Sequence, residues 1–260
     1  MAELEVALRA ARAAGRKLLV PYITGGLGAD WVDVVRAVAA AGADAVEVGI
    51  PFSDPVMDGP VIQEASVRAL ASGATPVGVI DAVRGVSAEA GVPLAVMTYY
   101  NIVFRAGHRR FARSLVEAGI TGAIVPDLPL EELDPWAAAA DDAGVETILL
   151  AAPTAPDERL PRICARSGGF VYGVGLLGVT GERSTLADSA TVMATRLKAV
   201  TDKPVLLGIG VSNTEQAVEA SRVADGVIVG SALVRRLLEG QGPDGAAEFV
   251  SELRAGLDQS

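Results

Sequence analysis

The chain has 260 residues, 50 % of them hydrophobic and only 4 % aromatic, and a formal net charge of −10 at neutral pH. That length buries a large core, and the acidic balance argues against nucleic acid or an anionic membrane surface as a partner. One cysteine, Cys164, excludes a disulfide framework and a cysteine-based metal site, and one histidine, His108, excludes a multi-histidine centre.

The chain opens on MAELEVALRAARAAGRK, whose apolar spacing is that of an amphipathic helix. It lacks the pattern of a secretory leader, and later apolar runs stop at strand length, so a cytoplasmic protein is expected. Short β-rich runs then recur: KLLVPYIT from Lys17, AVEVGI from Ala45, LAVMTYY from Leu94 and GAIVPD from Gly122. They continue with ETILLAA from Glu146, FVYGVG from Phe170, PVLLGIG from Pro204 and GVIVGS from Gly226. Ala-rich helical patterns such as WVDVVRAVAAAG and LDPWAAAADDAG lie between them, several ending at a glycine (Gly42, Gly119, Gly144) suited to a left-handed cap. Eight strand–helix units in one chain predict an α/β fold, a (β/α)8 TIM barrel with an extra N-terminal helix, spanning 1–260 as a single domain. An open doubly wound sheet is the alternative.

Two features carry chemistry. The first is AVEVGIPFSDPVMDGP, Ala45 to Pro60, in which Glu47 interrupts an apolar run and Asp58 follows on a proline-rich loop. A carboxylate among Val46, Val48 and Ile50 is costly to bury without a partner or a proton. Two acids in unlike environments suit general acid–base work; a solvated strand residue and an ordinary turn are the plainer alternative. The second is glycine at the late strand ends: Gly208-Ile209-Gly210-Val211-Ser212, then Gly230-Ser231, with GVTGERST after the sixth run. Such turns let backbone amides and helix N-termini hold a phosphate at the strand-end rim of a barrel. No G-x-G-x-x-G follows the first strand and no P-loop is present, which disfavours a dinucleotide or ATP.

Other residues read more plainly. His108 beside Arg109 and Arg110 suits a surface helix start, Cys164 a small buried apolar position, and Arg235 and Arg236 an exposed helix face. Asp127 lies after the fourth run and either acts in the site or shapes the turn. Tyr22 and Thr24 end the first run and point to the same mouth, Tyr99, Tyr100 and Asn101 close the third, and Tyr172 faces the interior by alternation.

Together V-E-V-G-I-P-F-S-D-P-V-M-D-G, PYITGG, VMTYYN, VPDLP, GVTG and DGVIVGSALV resemble the tryptophan synthase alpha subunit family over nearly the whole chain. The resemblance implies a lyase that splits indole-3-glycerol phosphate into indole and glyceraldehyde 3-phosphate by a retro-aldol reaction in tryptophan biosynthesis. It implies no metal or organic cofactor in this chain, with pyridoxal phosphate only in a beta subunit that docks in an alpha2-beta2 tetramer. Glu47 matches the family's general acid–base and Asp58 the carboxylate that binds the indole N–H. Tyr172 is similar to the strand-six tyrosine, and Thr180 to a loop residue that closes the site. Gly181, Gly210, Gly230 and Ser231 match phosphate-binding positions, with Tyr22, Tyr99 and Ile209 expected to bind substrate. The loop Pro51 to Pro60 looks like docking surface, with Phe52 and Asp54 as interface residues.

This sequence departs from the family pattern in places. Ile209 stands where some members carry phenylalanine, Gly175-Leu176-Leu177 where a serine-containing segment is common, Glu182 where a small residue is usual, and Gly26-Leu27 where Gly-Asp is frequent. Two other functions compete: a different phosphate-binding barrel, and a barrel that mainly activates a partner subunit. A Schiff-base aldolase, which needs a lysine at a strand end, is disfavoured, because Lys17 opens the first strand and Lys203 precedes the seventh, both at the wrong rim.

Overall fold

The computed structural model describes residues 4–175 and 183–260, with the side chains of 183–190 left out of account. Eight parallel strands close on themselves in sequence order. They are β1 (Leu18–Thr24), β2 (Val46–Gly49), β3 (Leu94–Met97), β4 (Ile120–Ile124), β5 (Glu146–Ala151), β6 (Val171–Val174), β7 (Val205–Gly208) and β8 (Gly226–Val229). Pairing of Leu18 to Pro21 with Gly226 to Val229 seals the cylinder, which sets aside the open doubly wound sheet.

Helices alternate with the strands. They are α1 (Leu4–Ala13), α2 (Trp31–Ala40), α3 (Pro60–Ala71), α4 (Pro76–Ala90), α5 (Tyr100–Ala106) and α6 (His108–Glu117). The set continues with α7 (Asp134–Ala143), α8 (Leu160–Arg166), α9 (Arg183–Lys198), α10 (Thr214–Ser221), α11 (Ser231–Leu238) and α12 (Gly242–Leu257). None of the described helices is long and apolar enough to cross a membrane.

Strand alternation divides two cores. Outward-facing Leu19, Ile23, Val46, Val48, Leu94 and Val96 pack with the helix residues Val35, Val38, Val83 and Trp136. Inward-facing Leu18, Val20, Ala45, Ala95, Ile124, Ile148, Leu206 and Ile228 fill the barrel. Burial on both faces explains why the strands read as continuous apolar runs. It also gives Glu47 its direction: flanked by outward Val46 and Val48, it points inside.

The expected N-terminal helix closes the bottom of the barrel. Leu4 and Leu8 of α1 are fully buried against the interior residues. A Cβ on Gly122 or Gly169 would come within 2.8 Å of the Leu4 side chain, so these glycines make room for the plug. Both Glu146 carboxylate oxygens accept the Glu5 N–H at 3.2 Å and one accepts that of Gly169, which caps the first turn of α1.

One boundary differs from the sequence reading, and two helix starts frame the late strand ends. The third strand ends at Met97 rather than running through the tyrosines, because Asp127 accepts the Tyr100 N–H at 2.8 Å and starts α5 there. Asn213 caps α10 from outside, accepting the Gln216 N–H at 3.0 Å. Ser231 is already inside α11, with Gly230 as its cap.

Candidate active site

The strand ends opposite α1 surround a cavity of about 390 Å³. Glu47, Tyr22 and Tyr172 enter it from β2, β1 and β6, and Asp58 from the loop after β2. Ile209, Gly210, Gly230 and Ser231 line it from the turns after β7 and β8. Tyr22 and Glu47 are register partners across β1 and β2. The two acids and the late glycines, far apart in sequence, thus share one cavity.

Glu47 is 1 % exposed, and neither of its carboxylate oxygens has a hydrogen-bond partner among the described residues. Burial, followed by the nearby charge of Asp58, pushes its pKa up to about 8. Asp58 is raised to about 6 by burial, against the opposing hydrogen bond from Tyr99. At neutral pH the strand acid therefore holds its proton while the loop acid is ionised, a division of roles set by environment. Burial and the same acids hold Tyr22 and Tyr172 well above the ordinary tyrosine range, so both hydroxyls stay protonated donors.

Glycines shape the walls. A Cβ on Gly49 would collide with the Tyr22 hydroxyl, and one on Gly208 with the Tyr172 ring. Each tyrosine therefore lies over the glycine of its neighbouring strand. At the far side Gly210 has φ +79°, and a Cβ added there would meet no atom within 4 Å, so backbone is presented openly. Gly230 leads into α11, whose first-turn N–H groups lack intrahelical acceptors and carry the positive end of the helix dipole. No lysine or arginine lines the cavity among the described residues. Among the described residues, an anion here would meet backbone amides rather than side-chain charge.

Between the acids and the glycine turns stands an apolar wall of Ile62, Met97, Leu150, Val174, Ile209 and Ile228. Such a wall suits an apolar ligand group, and Ile209 is one member among several. Apart from Ile209, sequence motifs do not single these residues out, although Met97, Leu150 and Ile228 sit at alternate, inward strand positions that periodicity can flag.

Other expected site residues lie elsewhere. Tyr99 is buried and does not line the cavity; it stacks on Phe52 with ring centroids 5.0 Å apart and accepts the Met57 N–H at 3.0 Å. Phe52 is half-buried and Asp54 exposed on the outer side of the loop, Asp54 accepting from the Ser53 hydroxyl at 2.6 Å. Thr180, Gly181, Leu176 and Glu182 fall outside the described residues.

Asp127 is exposed and serves the turn through Tyr100, while His108 meets the Tyr100 hydroxyl at 3.1 Å away from the cavity. Cys164 is buried in α8. Arg236 lies 4.0 Å over the Phe249 ring, and Arg235 is exposed. Lys17 and Lys203 bond Ser221 and Ser167 carbonyls at the opposite end of the barrel, and Lys198 pairs there with Asp225.

The family model described as tryptophan synthase alpha chain matches residues 8–257. The tryptophan synthase alpha chain of Thermobifida fusca is 46 % identical over 266 residues, covering 99 % of this chain and 98 % of the relative. That of Streptomyces coelicolor is 45 % identical, covering 96 % and 93 %. A Mycobacterium tuberculosis tryptophan synthase structure superposes with a TM-score of 0.90 at 40 % identity, covering 99 % of each chain. Tryptophan synthase subunit alpha from Legionella pneumophila gives 0.89 at 32 % identity over the whole of both chains. With site geometry, fold and relatives in agreement along its length, the chain belongs to the tryptophan synthase alpha chain family.

Proposed function

We propose that this cavity performs the alpha reaction, cleavage of indole-3-glycerol phosphate to indole and glyceraldehyde 3-phosphate, with residues 1–260 acting as one catalytic domain. The observation that carries the residue roles is Glu47: a buried carboxyl with unpartnered oxygens, facing a cavity whose far end is backbone amide and whose near end holds a second acid. Cleavage requires indole C3 to become tetrahedral. Glu47, protonated near neutrality, delivers the proton to C3. As carboxylate it then accepts the proton of the glycerol hydroxyl next to the breaking bond. The bonding pair returns to the ring, indole regains its aromaticity, and the hydroxyl carbon leaves as the aldehyde.

Asp58, ionised, holds the indole N–H and offsets the positive charge that the ring develops on protonation. Tyr172 and Tyr22 supply neutral donors beside the acids, and Ile209 forms part of the ring wall. Gly210, Gly230 and Ser231 hold the phosphate through backbone N–H groups and the α11 dipole; Gly181 and Thr180 are assigned to the same end by family likeness. The chain itself needs no cofactor for this step. Pyridoxal phosphate belongs to a beta subunit, which Phe52, Asp54 and the rest of the loop Pro51 to Pro60 receive in an alpha2-beta2 assembly in the cytoplasm.

The test is indole release from indole-3-glycerol phosphate by the full chain, alone and with its beta subunit. Release by the chain alone, raised by the partner, is expected. No release under either condition overturns the assignment, and release only with the partner makes the chain chiefly an activator.

A further inference from the structure

Tyr99, a strand-end tyrosine expected to touch substrate, has its ring behind the loop that carries Asp58. It is 3 % exposed and is not among the described residues that line the cavity. Its hydroxyl accepts the N–H of Met57, the residue immediately before Asp58, at 3.0 Å, and its nearness favours the charged form of the Asp58 carboxyl. Its ring lies against Phe52, near the start of the same loop, at 5.0 Å and an interplanar angle of 20°. One side chain thus grips the loop near both ends.

The grip is itself anchored. Tyr99 is the residue before α5, whose first N–H, that of Tyr100, is held by Asp127 at the end of β4. The loop has few other restraints. Its internal bonds are the short turns Val56 N–H to Asp54 and Asp58 N–H to Pro55, and Gln63 donates to the Asp58 carbonyl at 2.8 Å. None of these touches the Asp58 carboxylate. The outward neighbours of Phe52 on the loop, Asp54 and Val56, are exposed, so a surface pressing on this face meets Phe52 and, through the stack, Tyr99.

We infer that Tyr99 is a positioning residue: it fixes the Asp58 carboxylate at the cavity edge and links it mechanically to Phe52, without contacting substrate. The inference rests on the role proposed for Asp58. It reassigns Tyr99 from the ring-binding wall to the support of the acid, and it gives the partner-facing side of the loop a direct route to the site through two stacked rings.

Tyr99→Phe removes the hydroxyl and keeps the stack. It should lower kcat/KM for indole release roughly ten- to a hundred-fold through misplacement of Asp58. Loss of a hydroxyl whose nearness favours the charged form raises the Asp58 pKa further. Carbon-detected NMR titration of Asp58 reads that shift in the full chain whether or not it turns over. In an Asp58→Asn background the same substitution should have no further effect on kcat/KM, since the group it acts through is gone. Additive losses, or an unmoved Asp58 titration in a folded Tyr99→Phe chain, overturn the inference and leave the lyase reading standing. A wild-type chain that releases no indole removes the lyase reading first, while the titration still reports on the contact.

Discussion

Asp44 and Asp225 near the floor of the barrel and Glu47 at its mouth are all carboxylates withdrawn from water, yet the fold surrounds them in opposite ways. Asp44 receives Arg16 at 2.6 Å, Arg254 at 3.2 Å and the Leu19 N–H at 2.8 Å. Asp225 receives Lys198 at 2.6 Å, Arg12 at 3.3 Å and the Val205 N–H at 2.8 Å. Glu47 receives nothing from the described residues. Satisfied carboxylates just before strands tie termini and helices to the barrel, whereas the unsatisfied one lies within β2 and faces a cavity. The same contrast runs through the glycines. At the floor Gly122 and Gly169 admit a leucine plug, whereas at the mouth Gly49 and Gly208 admit two tyrosine hydroxyls.

The sharpest break in this comparison is Glu47→Gln. It should reduce indole release by about three orders of magnitude, the loss expected for a general acid–base, while glycerol 3-phosphate binding by calorimetry stays as in the wild type. Stability moves the other way. The folded-state pKa of Glu47 is about 8 against an ordinary 4.5, so between those values the native chain keeps a proton that the unfolded chain has lost. Wild-type stability should therefore fall as pH rises through that window, and Glu47→Gln should flatten the decline in melting temperature. An identical slope in both proteins would place an ordinary ionised acid at this position.

Next in size is Asp44→Asn at the floor. It takes one of two carboxylate partners from the buried Arg254 guanidinium, which keeps Asp258 at 2.7 Å, and should cost about 1–3 kcal/mol in denaturant unfolding, with kcat unchanged at a temperature where the variant is folded. A matching fall in kcat would mean that the floor also serves the chemistry.

The smallest and most pointed test is a pair of alanines. Gly122→Ala crowds Leu4 and should lose about 1–3 kcal/mol of stability with little change in turnover. Gly49→Ala displaces Tyr22 into the cavity, so its loss should fall mainly on kcat/KM. If unfolding and kinetics respond alike in the two variants, the division between floor and mouth is not real.

Much of this is legible along the chain, because the signals are local. Strand periodicity, the glycines after helices and the position of Glu47 between Val46 and Val48 are properties of short windows, and each of the eight expected strands forms. Family motifs add roles for Glu47 and Asp58 that local pattern leaves open. The tertiary structure decided what depends on distant partners. Closure rests on hydrogen bonds between β1 and β8, at opposite ends of the sequence. The plug position of α1 rests on glycines more than a hundred residues away, and the separation of bonded from unbonded carboxylates rests in part on arginines just as remote, Arg254 for Asp44 and Arg12 for Asp225. Tyr99 is the clearest case: a strand-end tyrosine beside a cavity reads as a wall, and only packing shows its hydroxyl turned to the loop behind Asp58. Sequence determines which side chains alternate and where the backbone can turn; which of them face a partner, and which are left facing a cavity, is set by contacts that no short window contains.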